Sequence, residues 1–400
     1  MIWKRRDNGK LSIAQLHWGF PPIIGGVETH LDTILPMMKK MGHRVALLTG
    51  SAEGVKTRYD YKGVKIFRTP LMDLNWLYKR GLQGLEDDVS KAFHDFLNSV
   101  KPDIIHCHNM HYFSQIHAEL IEQEAQKRGV PLILTSHNVW DEMLFLELSR
   151  NINWTNIIAV SHFIKREMIG AGCDDRKITV VHHGIDIDEF NPDVDTKEIE
   201  RKYPQLKNKR IIFHPARMGL AKGCDVSIKA LRIIKERFPN AMLVLAGTKN
   251  IIDWGSTQEK DIAYMLNLVK IFGLENSVLI DAYSRKEISK LYGLSEVCVY
   301  PSSSLEPFGL TMLEALATAR PMIVTNCGGM PEIIRDGING YVVAPKDFEA
   351  LASRVIQLLA NEKLRRRLGY TGRENVESHY KKEDVTNNTI NVYKKALDNL

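Results

Sequence analysis

Four short segments carry residue types at spacings that could hold a charged ligand and stabilise charge as it moves. The most specific is Glu306-Pro307-Phe308-Gly309-Leu310-Thr311-Met312-Leu313-Glu314-Ala315. Pro307 and Gly309 mark a loop, and the run from Leu310 reads as a helix. That leaves the amides of Gly309, Leu310 and Thr311 unpaired at a helix N-terminus and open to a phosphate. Glu314 is expected in the first turn, where it could accept from the vicinal hydroxyls of a ribose or do no more than complement the helix dipole. Glu306, ahead of the helix, would reach a different part of the same ligand.

The second segment, Arg217-Met218-Gly219-Leu220-Ala221-Lys222-Gly223, places two cations five residues apart on one loop. Arg as a planar fork and Lys as a point charge could clamp a diphosphate; solvated surface cations are the plain alternative. The third, Phe20-Pro21-Pro22-Ile23-Ile24-Gly25-Gly26-Val27-Glu28, sets paired glycines between a strand and a helix. Glycine removes side chains where backbone must approach a ligand, and the helix start offers N–H groups to an anion. The pattern is neither GxGxxG nor a Walker loop. In the fourth, Leu134-Thr135-Ser136-His137-Asn138, His137 follows a strand. It could hydrogen-bond a substrate hydroxyl, or stabilise positive charge through its main-chain carbonyl.

Two further patterns resemble metal sites in composition. His106-Cys107-His108-Asn109-Met110-His111 is rich in ligand types, but strand neighbours alternate faces and no second ligand pair stands at a recognised spacing. Zinc is therefore set aside; one of His106 and His108 is expected to pack inward and the other to line a ligand cleft. Asp186-Ile187-Asp188 and Asp193-Val194-Asp195 have the letters of a metal-sugar motif but lie away from the binding ends of strands, so they read as turn and helix-cap residues. No metal is expected.

Positioning these segments requires strands that stop beside them. Short β-branched runs at 11–16, 44–49, 64–68, 103–107, 131–135, 155–160 and 178–182 alternate with helical patterns near 27–41, 86–100, 114–128 and 161–170. The polar stretch from Asn191-Pro192-Asp193 to Lys209 reads as a linker. Alternation restarts at 210–214, 241–246, 277–281, 297–300, 321–325 and 340–343, with helices near 224–237, 261–272, 286–293, 310–318, 348–360, 364–378 and 385–397. Continuous apolar strands joined by helices predict parallel sheets covered on both faces, and such sheets bind ligands at their carboxyl edges. Two doubly wound domains are expected, over 1–190 and 191–380, with a last helix over 381–400.

Bulk composition narrows the class. At 400 residues the chain suits two or three domains, and its 44 % apolar and 26 % charged content is that of an ordinary soluble protein, not a disordered or fibrous one. The formal net charge of +6 sits wholly in residues 191–400, the first 190 being balanced. So small an excess is too sparse for a nucleic-acid footprint and suits a small anionic ligand. Five scattered cysteines with no CxxC pair point to a reducing, cytoplasmic setting. No signal peptide or membrane-spanning run is read, which leaves room for peripheral membrane contact.

Taken in order, the segments resemble the retaining glycosyltransferases of the GT-B fold, family 4 (glycosyl transferases group 1). PPIIGGVE, TSHNVW, AVSHFIK, VVHHGIDIDEFNP, ARMGLAKG, EPFGLTMLEA with its two glutamates eight positions apart, and VTNCGGMPEIIRDGINGYVV follow one another in the family's order. The resemblance implies an α/β chain of two Rossmann-like domains facing across a cleft, with the acceptor held by the first and a nucleotide diphosphate sugar by the second. The last helix would cross back to the first domain.

By the same resemblance Gly26 would approach the donor diphosphate, and Arg217 and Lys222 would hold it. Glu306 would touch the transferred sugar, the amides of Phe308, Gly309 and Leu310 with Thr311 would support sugar and phosphate, and Glu314 would bind the ribose. His137 would face the sugar near its anomeric carbon, making His137 and Glu306 the catalytic pair. The family commonly has Gly before the diphosphate arginine, where this chain has His214-Pro215-Ala216; Cys224 is taken as a packed helix-start residue, not a nucleophile.

Acceptor candidates are His108, Tyr112 and Trp140, with Trp18 and Phe20 beside them; the aromatic faces suit a sugar ring or an aminocyclitol. The implied partners are a nucleotide sugar, UDP-glucose or UDP-N-acetylglucosamine by family weight, and a carbohydrate or small-molecule acceptor, with no added cofactor. A sugar-nucleotide epimerase and a non-catalytic sugar-binding protein are the rival classes; a dehydrogenase is disfavoured because no GxGxxG with a following acidic residue opens either half.

Overall fold

Strands whose residues are buried on both faces, such as Ser12–Leu16 and Leu132–Ser136, can only sit inside a covered sheet. The computed structural model describes residues 9–139, 142–216, 218–247 and 257–399. They fall into two compact units, Met1–Gly184 with Lys382–Leu400, and Ile185–Lys381.

In the first unit, β1 (Ser12–Leu16), β2 (Arg44–Gly50), β3 (Arg58–Tyr61), β4 (Val64–Thr69), β5 (Ile104–His108), β6 (Leu132–Ser136), β7 (Asn156–Ala159) and β8 (Ile178–Val180) form one sheet in the order β3-β4-β2-β1-β5-β6-β7-β8. Its helices are α1 (Gly26–Lys40), α2 (Leu74–Arg80), α3 (Glu86–Val100), α4 (Gln115–Arg128), α5 (Met143–Asn151) and α6 (His162–Gly170). All neighbours are parallel except β3, which runs antiparallel to β4. The sequence reading has no β3, because Arg58-Tyr59-Asp60-Tyr61 is polar and half exposed, as an edge strand must be. Its hairpin turns through Lys62 and Gly63, both at positive φ, and Asp60 accepts from the Gly63 amide at 2.8 Å.

The second unit holds α7 (Lys197–Lys202), β9 (Arg210–His214), α8 (Cys224–Arg237), β10 (Ala241–Gly247), α9 (Thr257–Ile271), β11 (Val278–Ala282), α10 (Arg285–Leu294), β12 (Val297–Tyr300), α11 (Leu310–Ala317), β13 (Met322–Thr325), α12 (Met330–Ile333), β14 (Gly340–Val343), α13 (Phe348–Ala360) and α14 (Glu362–His379). Its sheet is wholly parallel, in the order β11-β10-β9-β12-β13-β14. The stretch read as a linker is folded: it contains α7, and Ile199, Tyr203 and Leu206 are buried. Apolar residues spaced through a charged sequence gave too weak a period for the helix to be seen. The division between the units accordingly falls at Gly184, ahead of Asn191-Pro192-Asp193.

The last helix, α15 (Lys382–Asp398), belongs to the first unit. Val385, Ile390, Val392, Tyr393, Ala396 and Leu397 share a core with Leu31, Ile34, Leu35 and Met38 of α1. Fully burying a large aliphatic side chain contributes about 1.5–3 kcal/mol, so this face holds the helix firmly.

Candidate functional site

In the second unit the chemistry-bearing loops are stitched to one another by backbone. β9 ends at His214, and the chain reaches α8 through a short 3-10 turn, Leu220–Lys222, capped by Gly223 at φ +76°. A side chain at Gly223 would strike the Pro301 carbonyl, so glycine is required both by conformation and by close approach. The Ala221 carbonyl accepts from Ser302 Oγ and from the Ser303 amide, each at 3.0 Å. Asp261 of α9 accepts from the Leu220 amide at 3.0 Å. The loop is thereby fixed against the segment that follows β12.

Lys222 Nζ pairs with Glu306 Oε1, an atom that also accepts from Tyr300 Oη at 2.8 Å. Glu306 is 8 % exposed, and its Oε2 makes no hydrogen bond to a described residue. Its main chain is held by the glycine pair that follows β13. The Gly329 amide donates to the Glu306 carbonyl at 2.8 Å, and Gly328, at φ +60°, leaves no room for a side chain beside it. Sequence reading placed Glu306 by its neighbours; that Gly328 and Gly329 clasp it emerges from the fold.

α11 begins at Leu310 behind Gly309, which lies at φ +98°, and no side chain caps it. Its first amides are therefore open to an anion. Thr311 Oγ1 is buried with no hydrogen-bond partner among the described residues. Phe308 is buried. Glu314 is the fifth residue of α11 and sits in its second turn, not the first as expected, because the helix starts at Leu310. Its Oε2 accepts from Tyr292 Oη at 2.9 Å. Burial raises the Glu314 carboxyl above the usual range, opposed by the Tyr292 bond and by Arg285 nearby. Arg217 lies outside the described residues.

Two residues here are inert. Burial pulls His214 down to about 3, and its Nδ1 faces Ser227 Oγ at 2.9 Å, so it is a neutral packed ring. The Cys224 thiol is pushed up to about 11 by burial.

The first unit concentrates imidazoles at the carboxyl edge of its sheet. His17 follows β1, His106 and His108 end β5, His137 follows β6, His183 follows β8, and His30 lies in the second turn of α1; all are buried. The expectation that His106 and His108 divide between inside and cleft is corrected. They are two residues apart on a strand, hence on one face, and their ring centres are 4.2 Å apart. His108 is enclosed, with Nε2 at 2.8 Å from Gln15 Oε1 and Nδ1 at 2.9 Å from His137 Nε2. His137 Nδ1 lies 3.0 Å from His183 Nε2.

Both ring nitrogens of His137 are thus engaged inside the protein, so the ring does not face a ligand as expected. Its amide donates to Asn109 Oδ1 at 2.7 Å. Its carbonyl accepts from no described residue. Burial holds His108, His137 and His183 well below the ordinary imidazole value, and His30 and His106 at about 3. These are neutral rings; His108, His137 and His183 are bonded to one another, His106 to Tyr393 and Thr135, and His30 packs against its neighbours. Among the described residues no group of His, Cys, Asp or Glu is arranged to hold a metal ion.

The glycine loop before α1 is built differently from expectation. A side chain at Gly19 or Gly25 would strike the Glu28 carboxylate, while one at Gly26 would meet nothing within 4 Å. Gly19 and Gly25 therefore house Glu28, whose Oε1 lies 3.1 Å from His17 Nε2, and only Gly26 borders open space. Arg68 fixes the loop from below, donating to the carbonyls of Pro21 at 2.6 Å, Phe20 at 3.2 Å and Gly50 at 2.8 Å. His17, His30, Glu28 and Arg68 were not singled out by type; each looks like an ordinary core or surface residue until the strand ends converge.

Of the acceptor candidates, Tyr112 is half-buried beside Trp18, ring centres 5.5 Å apart, and Phe145, 5.9 Å away. Phe20 is fully buried against Tyr61 and is core, which corrects its place among the cleft residues. Trp140 lies outside the described residues. Asp186 accepts from the Asp188 amide and Asp195 from the Lys197 amide, as turn and cap residues do. No described helix is long and apolar enough to cross a membrane.

Residues 195–375 match the family described as Glycosyl transferases group 1, and residues 24–189 match Glycosyltransferase Family 4. An uncharacterized glycosyltransferase of Methanocaldococcus jannaschii is 26 % identical over 410 residues, covering 97 % of this chain and 99 % of the relative. Among solved structures, a glycosyltransferase from Rickettsia africae has a TM-score of 0.81 at 22 % identity, covering 98 % of this chain and 100 % of the other. Anabaena HepE, solved with UDP and glucose, has a TM-score of 0.76 at 18 % identity with the same two coverages. Both likenesses are of fold, and the fold is GT-B.

Proposed function

Because the chain belongs to the group 1 glycosyl transferases, its first half matching family 4, we propose that it is a retaining enzyme acting on a nucleotide diphosphate sugar, UDP-glucose or UDP-N-acetylglucosamine. The glycosyl group passes to a hydroxyl of a sugar, polysaccharide or natural-product acceptor. The second unit takes the donor and the first the acceptor, in the cytoplasm and with no added cofactor. The observation that carries this is the Lys222–Glu306 pair beside the uncapped start of α11, with the Thr311 hydroxyl unpartnered.

In the reaction the bond from the anomeric carbon to the diphosphate oxygen breaks and a bond to the acceptor oxygen forms. The acceptor proton goes to the departing phosphate oxygen on the same face. Negative charge grows on the diphosphate, where Lys222, Arg217 and the amides of Phe308, Gly309 and Leu310 would hold it together with the Thr311 hydroxyl. The pairing of Lys222 with Glu306 keeps both charges satisfied until a phosphate arrives. Glu306 then has an oxygen free for the sugar's hydroxyls, and Glu314 receives the ribose.

Positive charge grows on the sugar ring, and the unpaired main-chain carbonyl of His137 suits it better than the engaged imidazole does. Gly26, with open space beside it, would lie against the diphosphate. Tyr112 and Trp140 would line the acceptor, with His108 behind them.

Thermal-shift titration with nucleotide sugars tests the donor. A ligand at a hundredfold its Kd stabilises by about 2.7 kcal/mol. UDP-sugars should raise the melting temperature and free sugars should not. NMR of the product then reads the anomeric configuration. No shift with any nucleotide sugar, or isomerised donor with no transfer, would overturn the reading.

A further inference from the structure

The imidazole cluster of the first unit has a direction, and one side chain sets it. Gln15, in the middle of buried β1, points its carboxamide between two rings. Its Nε2 donates to Tyr393 Oη at 3.1 Å and lies 3.9 Å from Met38 Sδ, a weak acceptor. Its Oε1 is 2.8 Å from His108 Nε2. An amide oxygen only accepts, so His108 must carry its proton on Nε2, and its Nδ1 is bare.

The consequence propagates. Bare Nδ1 of His108, 2.9 Å from His137 Nε2, requires the His137 proton to be on Nε2. Bare Nδ1 of His137, 3.0 Å from His183 Nε2, requires the same of His183. On the other side, Tyr393 Oη accepts from Gln15 and so gives its own proton to His106 Nδ1, 2.5 Å away. His106 is left to donate from Nε2 to Thr135 Oγ1 at 2.6 Å. With the amide in this orientation these contacts are satisfied together by four neutral rings, all protonated on Nε2.

Turning the Gln15 amide over would reverse every one of these bonds and shift all four rings to Nδ1–H. The two states differ at the amide itself: in the observed one an N–H faces the Met38 sulfur, in the other a carbonyl oxygen would face it. The thioether selects the orientation, because sulfur accepts weakly and repels a second acceptor.

We propose that Gln15 is a positioning residue for the reaction, setting the tautomer of His137 through His108 and thereby the attitude of the His137 carbonyl. This rests on the assignment of that carbonyl to the reaction under the proposed function. His137 is held at three points, its amide by Asn109 and its two ring nitrogens by His108 and His183. Only the carbonyl is left to a substrate. Losing Gln15 lets the rings adopt either tautomer and removes the group that fixes the His108 ring, loosening one of the three points that hold His137.

The test is long-range proton–nitrogen NMR on the full chain labelled with ¹⁵N-histidine, beside steady-state kinetics. In the parent protein His106, His108, His137 and His183 should all read as neutral Nε2–H. In Gln15→Leu, His108, His137 and His183 should become tautomer mixtures, with kcat down about tenfold and donor KM held, as expected for misplaced charge-stabilising geometry.

Gln15→Glu is isosteric and, read at a pH high enough to ionise its buried carboxyl, accepts on both sides. It should leave His108 on Nε2–H but turn Tyr393 round, moving His106 alone to Nδ1–H, and this holds the test together if the leucine variant folds poorly. Parent His137 found as Nδ1–H, tautomers unmoved in Gln15→Leu, or mixed tautomers with unchanged kcat would each overturn the proposal. Full turnover in His137→Ala, which keeps the carbonyl but removes both ring anchors, would also overturn it. No transfer from any nucleotide sugar by the parent protein would instead sink the underlying reading, a failure read separately from the spectra.

Discussion

The two sheets end in opposite kinds of chemistry. At the carboxyl edge of the second unit, a cation and a carboxylate, Lys222 and Glu306, face a helix start with open amides. At the corresponding edge of the first, buried imidazoles are held neutral, three of them bonded ring to ring. Lysine and glutamate cannot be buried singly, so they arrive as a pair that a phosphate can enter. Imidazole can be buried neutral, so several rings can be packed together with most of their nitrogens paired. One edge is therefore poised to exchange partners with an ion; the other is a fixed scaffold sensitive to added protons.

The largest effect that separates the edges is acid. A ring whose folded pKa lies below its unfolded value of 6.5 binds fewer protons when folded. Its stability is complete above that pH and is lost as pH falls toward the folded value. Each ring costs up to about 1.4 kcal/mol per pH unit in that window, so His30, His106, His108, His137 and His183 together cost at most roughly 7 kcal/mol per pH unit. Against a typical stability of about 5–15 kcal/mol, the first unit should lose stability progressively as pH falls below the unfolded imidazole value. Hydrogen exchange read by mass spectrometry across pH should show the first sheet opening before the second. Simultaneous loss of both would erase the contrast.

Next come the charges. Lys222→Ala and Glu306→Ala should each lower turnover at least ~100-fold, comparable with removing one transition-state donor. Stopped assays with a nucleotide sugar check this, and full activity in both would dissolve the role of that edge. Glu314→Ala should act mainly on binding, raising the donor KM about tenfold with kcat nearly kept, as for a lost bond to a charged group. A pure kcat loss would move Glu314 from the ribose to the reaction centre. Smallest is Thr311→Val. Its hydroxyl bonds to no described residue, so stability should change by less than ~0.5 kcal/mol while donor KM rises a few-fold. A large drop in melting temperature would mean the hydroxyl already has a structural partner.

Legibility differed between the same two edges. The EPFGL segment and the Lys222 loop are each contiguous in sequence and lie where a parallel strand hands over to a helix, so type and spacing were enough to single them out as candidates. The imidazole cluster joins β1, α1, β5, β6 and the chain after β8, with Tyr393 contributed by the last helix. No spacing rule links Gln15 to Tyr393. The glycines before α1 were misread for the same reason: Gly25 makes room for Glu28, not for a ligand. β3 and α7 were hidden because edge strands and short surface helices are polar, which removes the apolar period that reveals them.

The sequence by itself determined the class of fold, two parallel sheets, and singled out the charged loops at the carboxyl edge of the second. Local chemistry dictates both, through β-branched runs, glycine at positive φ and unpaired helix amides. Only the tertiary structure decided which nitrogens and oxygens are occupied. It turned the His137 ring inward and left its carbonyl open, placed Glu314 on the second turn, and paired Lys222 with Glu306. Hydrogen-bond satisfaction is settled atom by atom among residues far apart in the chain, and that accounting exists only once the strands have met.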